Sequence, residues 1–210
     1  MRMITKHIPL TIALFGSLAA TQVASADLSA NFGLASQYVF RGILQTPASA
    51  SASAGLDYSN SGFYAGTWAG GVELGLEYDL YAGYGGEYSG LSYDVNYTTY
   101  NYTDTTWDDT YAEFNINLGY GPVSLGYADG THDIVGGGTE DYTVTTVSAS
   151  HSGFTLLYGD NGKDFTGSWY ELGYSTDVGE FEAGINMIKS DKDLDDTEYL
   201  IFSLGKSIDL

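Results

Sequence analysis

From Leu28 onward the chain alternates apolar and polar side chains with a period of two. Leu28, Ala30, Phe32, Leu34, Ser36, Tyr38 and Phe40 share one phase; Ser29, Asn31, Gly33, Ala35, Gln37, Val39 and Arg41 share the other. Successive residues of a strand point to opposite faces, so a period of two predicts strands with one apolar side. The same reading holds for Ala48–Tyr58, Gly62–Trp68, Leu74–Tyr84, Leu91–Tyr97 and Ala112–Tyr120. Weaker alternation follows at Val123–Ala128, Tyr142–Ser150, Phe154–Gly159, Ser168–Thr176, Glu180–Ile188 and Glu198–Leu210. These are twelve candidate strands, with ten as the rival count. Helical spacing is not sustained after residue 26.

The joins between these strands fall into two alternating classes. Turn-type joins occur at Asn60-Ser61-Gly62, Gly86–Gly90, Gly121-Pro122, Ser152-Gly153 and Asp177-Val178-Gly179. Between them come joins that are mostly longer: Gly42–Pro47, Ala69–Gly71, Tyr102–Asp109, Asp129–Asp141, Asp160–Gly167 and Lys189–Thr197. Five turns alternating with six loops place both ends of the sheet on the turn side, as in an even-stranded barrel with short periplasmic turns.

The first residues change the compartment expected for this sheet. Arg2 and Lys6 precede an apolar run from Ile8 to Ala20, and Ala24-Ser25-Ala26 offers small residues for a signal peptidase. The run is too short for a membrane helix. Residues 1–26 are therefore expected to be a cleaved signal peptide and 27–210 a barrel in a Gram-negative outer membrane. All 27 acidic residues lie after the cleavage point, against five basic ones: Arg41, Lys163, Lys189, Lys192 and Lys206. A net charge of −22 disfavours nucleic acid as a partner. Without cysteine there is neither a disulfide nor a thiolate metal site.

Composition separates a membrane barrel from a soluble sandwich or cup. Tyr (19) and Gly (28) are abundant while Lys and Arg are scarce on the strands, whereas a soluble surface mixes both signs. Aromatic residues gather near strand ends, with Tyr58, Tyr84, Tyr120 and Tyr174 on the turn side. Phe40, Trp68, Tyr102, Tyr111 and Tyr158 fall on the loop side. Two such bands suit the two membrane interfaces. With the apolar phase toward lipid, the polar phase faces inward and carries Arg41, Asp57, Glu77, Asp79, Asp94, Glu113, Glu171 and Glu182. These are the candidate pore-lining residues, with Arg41 expected to pair with Glu77, Asp79 or Glu113. The network would either rigidify a filled lumen or form a charged constriction.

Catalysis and metal binding were weighed against this reading. A hydrolase would need His132 or His151 beside an acid and a nucleophile. His132-Asp133 are adjacent and so point apart in an extended segment, and His151-Ser152 fall at a turn. No catalytic residue and no cofactor are assigned. Asp191-Lys192-Asp193-Leu194-Asp195 has the alternating carboxylates of a calcium loop. It lacks the glycine at position six, where Asp196 stands, and the acid at twelve, where Phe202 stands. A solvated acidic loop is expected there.

Several stretches resemble one known family. They are Tyr38-Val39-Phe40-Arg41-Gly42, Gly55-Leu56-Asp57-Tyr58 and Gly62-Phe63-Tyr64-Ala65-Gly66-Thr67-Trp68, followed by Glu77-Tyr78-Asp79-Leu80-Tyr81-Ala82-Gly83-Tyr84, Tyr111-Ala112-Glu113 and Gly121-Pro122-Val123-Ser124. Together, over about residues 31–127, they resemble the TorF-type family of bacterial outer-membrane β-barrel porins. The resemblance implies an outer-membrane barrel with a pore role, in which residues matching Arg41, Glu77, Asp79 and Glu113 recur. The sequence-based expectation is thus an all-β, transmembrane, antiparallel up-and-down β-barrel. It would act as a narrow passive channel for small hydrophilic solutes or cations, with outer-membrane lipid and the barrel-assembly machinery as its other partners. A plugged structural or adhesive barrel is the alternative, and a hydrolase the third reading.

Overall fold

Extended segments with one apolar side can bury their backbone polar groups in hydrocarbon only by pairing on both edges, and the observed sheet does so. The computed structural model describes residues 26–47, 49–104 and 110–210. The expected leader, apart from Ala26, lies outside the described residues. The strands are β1 (Asp27–Ala35), β2 (Val39–Phe40), β3 (Ile43–Leu44), β4 (Ser51–Asn60), β5 (Phe63–Gly71), β6 (Leu76–Tyr88) and β7 (Leu91–Tyr102). They continue as β8 (Thr110–Tyr120), β9 (Val123–Asp133), β10 (Thr139–His151), β11 (Phe154–Lys163), β12 (Ser168–Val178), β13 (Phe181–Ser190) and β14 (Glu198–Asp209). From β4 to β14 each strand pairs antiparallel with the next, and β1 closes the ring between β4 and β14, with Gly33 opposite both Ser53 and Gly205. Twelve strands form the barrel; β2 and β3 form a separate two-stranded hairpin.

The turn side is built on Ser-Gly dipeptides. Ser61 and Gly62 have φ of 53° and 89°, and the Ser89-Gly90 and Ser152-Gly153 pairs repeat this geometry. Two consecutive left-handed residues make the hairpin turn whose twist matches the strands it joins.

The outer surface is apolar in the expected phase. Leu34, Phe114, Leu172 and Phe202 all project outward with about half their surface exposed. On the loop side this band ends at the ion pairs Lys163–Asp129 (2.7 Å) and Lys189–Glu198 (3.0 Å), and on the turn side at Lys206–Glu180 (2.8 Å). Along β14 the eight steps from Glu198 to Lys206 cover about 27 Å at roughly 3.3 Å per residue. A strand tilt of about 40° reduces this to about 20 Å along the membrane normal. The molecule is a transmembrane β-barrel.

Two expectations need correction. Alternation runs on to Arg41, but β1 stops at Ala35. The Ser36 amide donates the last rung to the Phe202 carbonyl (2.8 Å), and the Ser36 hydroxyl then accepts from the Phe202 amide (3.0 Å). Serine therefore takes over the acceptor position of the ladder, and the chain turns into the barrel. The loop-side aromatic band also differs from the expected one. Trp68, Tyr102 and Tyr111 lie in the inward phase, and Phe40 belongs to the hairpin. Tyr158 and Tyr170, with centroids 4.9 Å apart, do face outward, as does the Phe154–Tyr174 pair (4.6 Å) at the turn side. Height along a strand does not decide which face a ring occupies; phase does.

Replacing the outward Ile116 by Arg should lower folding stability in lipid vesicles by about 2–4 kcal/mol, the cost of a cation near the bilayer midplane. Ile116→Leu should stay close to wild type. Urea titration of both variants in vesicles measures the difference.

Candidate functional site

The hairpin β2–β3 is folded into the barrel interior and carries Arg41 at its tip. Thr46 Oγ1 accepts from the Tyr38 amide (2.7 Å), and the Gln45 amide donates to the Tyr38 carbonyl (2.8 Å), closing the base of the loop. At the tip Arg41 and Gly42 have φ of 50° and 80°. A Cβ on Gly42 would stand 2.8 Å from Cβ of Trp169, so only glycine lets the tip approach that ring. Val39 and Thr46 are each 1% exposed.

Glu113 on β8 is the anchor of this hairpin. Arg41 Nη1 and Nη2 donate to its two carboxylate oxygens at 2.9 and 2.8 Å, a bidentate pair. The hydroxyls of Tyr100 (2.7 Å) and Tyr142 (2.9 Å) donate to the same carboxylate. Four donors on a carboxylate that is 1% exposed offset the cost of removing it from water. Phe40 packs on Tyr100 with centroids 5.5 Å apart, and the guanidinium lies 4.8 Å over the Phe40 ring.

The other inward acids are held mainly by tyrosine and amide donors. Glu77 accepts from Tyr38 (2.8 Å), which ties the hairpin base to β6. Asp94 accepts from Tyr64 (2.6 Å), Asn96 (2.8 Å) and Asn117 (3.1 Å). Asp57 accepts from Asn31 (3.0 Å) and from the Tyr81 hydroxyl. Glu171 accepts from Trp169 Nε1 (2.7 Å) and Asn186 (3.1 Å). Asp79 is buried, and its Oδ1 has no hydrogen-bond partner. Room for the inward tyrosines comes from glycines directly across the ladder. Tyr64 lies opposite Gly83 and Tyr81 opposite Gly66, where a Cβ would come within 2.5 Å of either ring.

The interior wall has two characters. Inward residues of β9–β14, among them Ala128, Val144, Trp169, Ile188 and Ile201, form an apolar patch on which Val39 of the hairpin packs. The wall from β13 through β14 and β1 to β4 carries small side chains. A cleft of about 20 Å³ lies along it, lined by Gly33, Ser51, Ser53, Trp68, Glu182 and Ser203 among others. That volume suits roughly one water molecule.

The end of β13 and the loop that follows it lock the hairpin in place. The Ser190 hydroxyl donates to the Gly42 carbonyl (2.7 Å), and Asp195 Oδ2 accepts from the Leu44 amide (3.1 Å) and the Tyr199 hydroxyl (2.9 Å). Asp191 accepts from the amide and hydroxyl of Ser168 (both 2.9 Å) and from the Asp193 amide (3.0 Å). Residual burial acts to raise the Asp191 pKa, but these hydrogen bonds outweigh it and hold the carboxyl below its ordinary range. The alternating carboxylates of this loop are thus spent on protein donors. Among the described residues no group of three or more His, Asp or Glu converges as a metal site.

All eight sequence-selected residues lie in the barrel interior. Seven come from strands, whereas Arg41 comes from the infolded hairpin and not from the strand wall on which the alternation placed it. Arg41 and Glu113 are brought together, as one of the three expected pairings. Glu182 stands apart on the small-residue wall. The buried Tyr38, Tyr100 and Tyr142 and the half-buried Tyr64 and Tyr81 had no partner assigned from the sequence. For Tyr64, Tyr81 and Tyr100 the available signal was a polar phase opposite glycine or an acid, whereas the alternation put Tyr38 in the apolar phase. His132 stacks on Tyr111 at 4.1 Å, with Nδ1 3.3 Å from Glu140 Oε2, while His151 lies at the end of β10 beside the turn.

Comparison with known proteins fits this architecture. Residues 19–193 match the family described as Bacterial protein of unknown function (Gcw_chp). The chain belongs to that family. No curated protein matches it. Among solved structures, a KdgM porin superposes with a TM-score of 0.56 at 8% identity, over 85% of this chain and 97% of that one. A KdgM porin in complex with disordered oligogalacturonate gives 0.53 at 6% identity, over 86% and 97%. A structure from work on in-meso crystallization of membrane proteins gives 0.57 at 12%, over 88% and 84%. At these identities the likeness is one of fold: this Gcw_chp chain has the barrel architecture of porins.

Arg41→Ala should destabilise the barrel by about 3–5 kcal/mol, because Glu113 then keeps a buried charge without its cation. Adding Glu113→Gln should recover part of that loss. A double-mutant cycle by urea denaturation in vesicles measures the coupling.

Proposed function

We propose that this Gcw_chp protein is an outer-membrane porin: a narrow, passive channel for small hydrophilic solutes, with preference for cations. The observation that carries the reading is a closed twelve-stranded barrel with an apolar exterior, an acid-rich interior and one loop folded inside it. Twelve strands fall between the side-chain-filled bore of eight and the aqueous channel of sixteen or more, so an infolded loop sets the remaining width. Asp57, Glu77, Asp79, Asp94, Glu113, Glu171 and Glu182 line the lumen against one arginine, which favours cations over anions. The Arg41–Glu113 pair closes one side of the lumen, so the path runs along the small-residue wall, where Glu182 stands and where the cleft limits passage to water-sized species unless the hairpin shifts. The resemblance to TorF-type porins and the porin fold both support this role. Export through a leader cleaved after Ala26 would deliver the chain to the assembly machinery of the outer membrane. No catalytic step is assigned to it.

A second reading is favoured by the near-complete burial of Val39 and Thr46: the hairpin plugs the barrel, which then serves as an envelope scaffold or adhesin through its acidic loops.

Planar-bilayer recording of the refolded protein under a salt gradient tests the two. The channel predicts discrete steps, a cation-selective reversal potential, and a shift toward zero selectivity in Glu182→Gln. Replacing residues 37–46 by a short Gly/Ser linker should raise the unit conductance. A folded, heat-modifiable barrel that stays silent until the hairpin is removed would establish the plug.

A further inference from the structure

We propose that Glu77 and Asp79 form a binding site for a hard inorganic cation inside the barrel, between the hairpin base and β6. The argument is one of charge balance in a buried place. Glu77 is 1% exposed and Asp79 9%, and being two residues apart on β6 they share one face. Tyr38 donates to Glu77, and cross-strand from Asp79 stand Tyr100 and Trp68. None of these neighbours supplies a positive charge.

Among the described basic side chains none is left over for them. Among the described residues there are five basic side chains. Arg41 is committed by both terminal nitrogens to Glu113, and Lys163, Lys189, Lys192 and Lys206 pair with Asp129, Glu198, Asp193 and Glu180. His132 stands against Glu140. Two carboxylates shielded from water without a counter-charge are strongly disfavoured. The independent sign of a missing partner is Asp79 Oδ1, which is buried and accepts no hydrogen bond. The two carboxylates and the phenols beside them offer oxygen ligands only, which selects alkali or alkaline-earth ions over softer metals. With only two carboxylates as charged ligands, an ion keeps part of its water and leaves again. This inference rests on the channel reading for its purpose, since such a site would be where a permeating cation pauses.

The test titrates the refolded, full barrel in zwitterionic detergent with Tb³⁺ and reads emission excited through tyrosine. Tyr38 and Tyr100 stand beside the pair and would sensitise an ion there. Asp79→Asn should weaken one sensitised phase by at least about tenfold, the usual loss when a supporting ligand is removed. Asp193→Asn, in the outer acidic loop, should leave that phase in place, and Ca²⁺ should compete with it. Heat-modifiable migration checks that Asp79→Asn is folded; Glu77→Gln is read in the same way if it is not. Superimposable titrations of Asp79→Asn and wild type, or no sensitised phase at all, would overturn the site and leave a proton shared by the two acids as the balancing charge. Binding without bilayer conductance would keep the site and remove the channel. Conductance without Asp79-dependent binding would do the reverse.

Discussion

Everything in this molecule follows from the requirement that a backbone facing hydrocarbon keep no unpaired edge. Each unsatisfied amide or carbonyl in lipid costs several kcal/mol, so the first strand has to find the last. It does so over seven residue pairs, Ser29 opposite Asp209 through Ala35 opposite Ser203. Closure then divides every strand into a side that sees lipid and a side that faces the barrel interior. The acids gather on the inner side because the outer one would reject them. The interior, sealed from lipid, becomes a place where charges must balance one another.

That balance is local and uneven. Around Glu113 it is complete: two guanidinium nitrogens and two phenols satisfy one carboxylate and, in doing so, hold the hairpin in the lumen. Around Asp94 and Glu171 neutral donors suffice. At Glu77 and Asp79 the donors run out before the charges do. The abundance of tyrosine and glycine has a common cause here. At Tyr64 the phenol reaches an acid two strands away along the wall because the residue beside its ring, Gly83, has no side chain.

Strand positions were legible in the sequence because lipid enforces a strict phase: Leu118, Leu172 and Leu204 all sit where a period of two puts them. The Ser-Gly turns were legible because left-handed backbone restricts residue choice so strongly. The inward hairpin was not legible. Tyr38, Val39 and Phe40 continue the alternation of β1 without a break, and what diverts them is tertiary: partners on β6, β8 and β12, far away in sequence. Arg41 was therefore placed in the right compartment but on the wrong element. Tyr102 and Tyr111 were misread for a related reason, since a ring with a hydroxyl suits a membrane interface and an acid-lined interior equally well.

The hairpin lies near the start of the barrel sequence, yet nearly everything that holds it comes later. Glu113 is on β8, Trp169 on β12, Ser190 on β13, and Asp195 in the last loop. When β1 and β4 are first laid down, the segment between them has nowhere to dock. Its seat on β6 and β8 is completed only by β12, by the end of β13 and by the last loop. The innermost segment of the molecule thus belongs to no single neighbour: it is held by contacts spread over the whole ring, and its position reports whether the ring has closed.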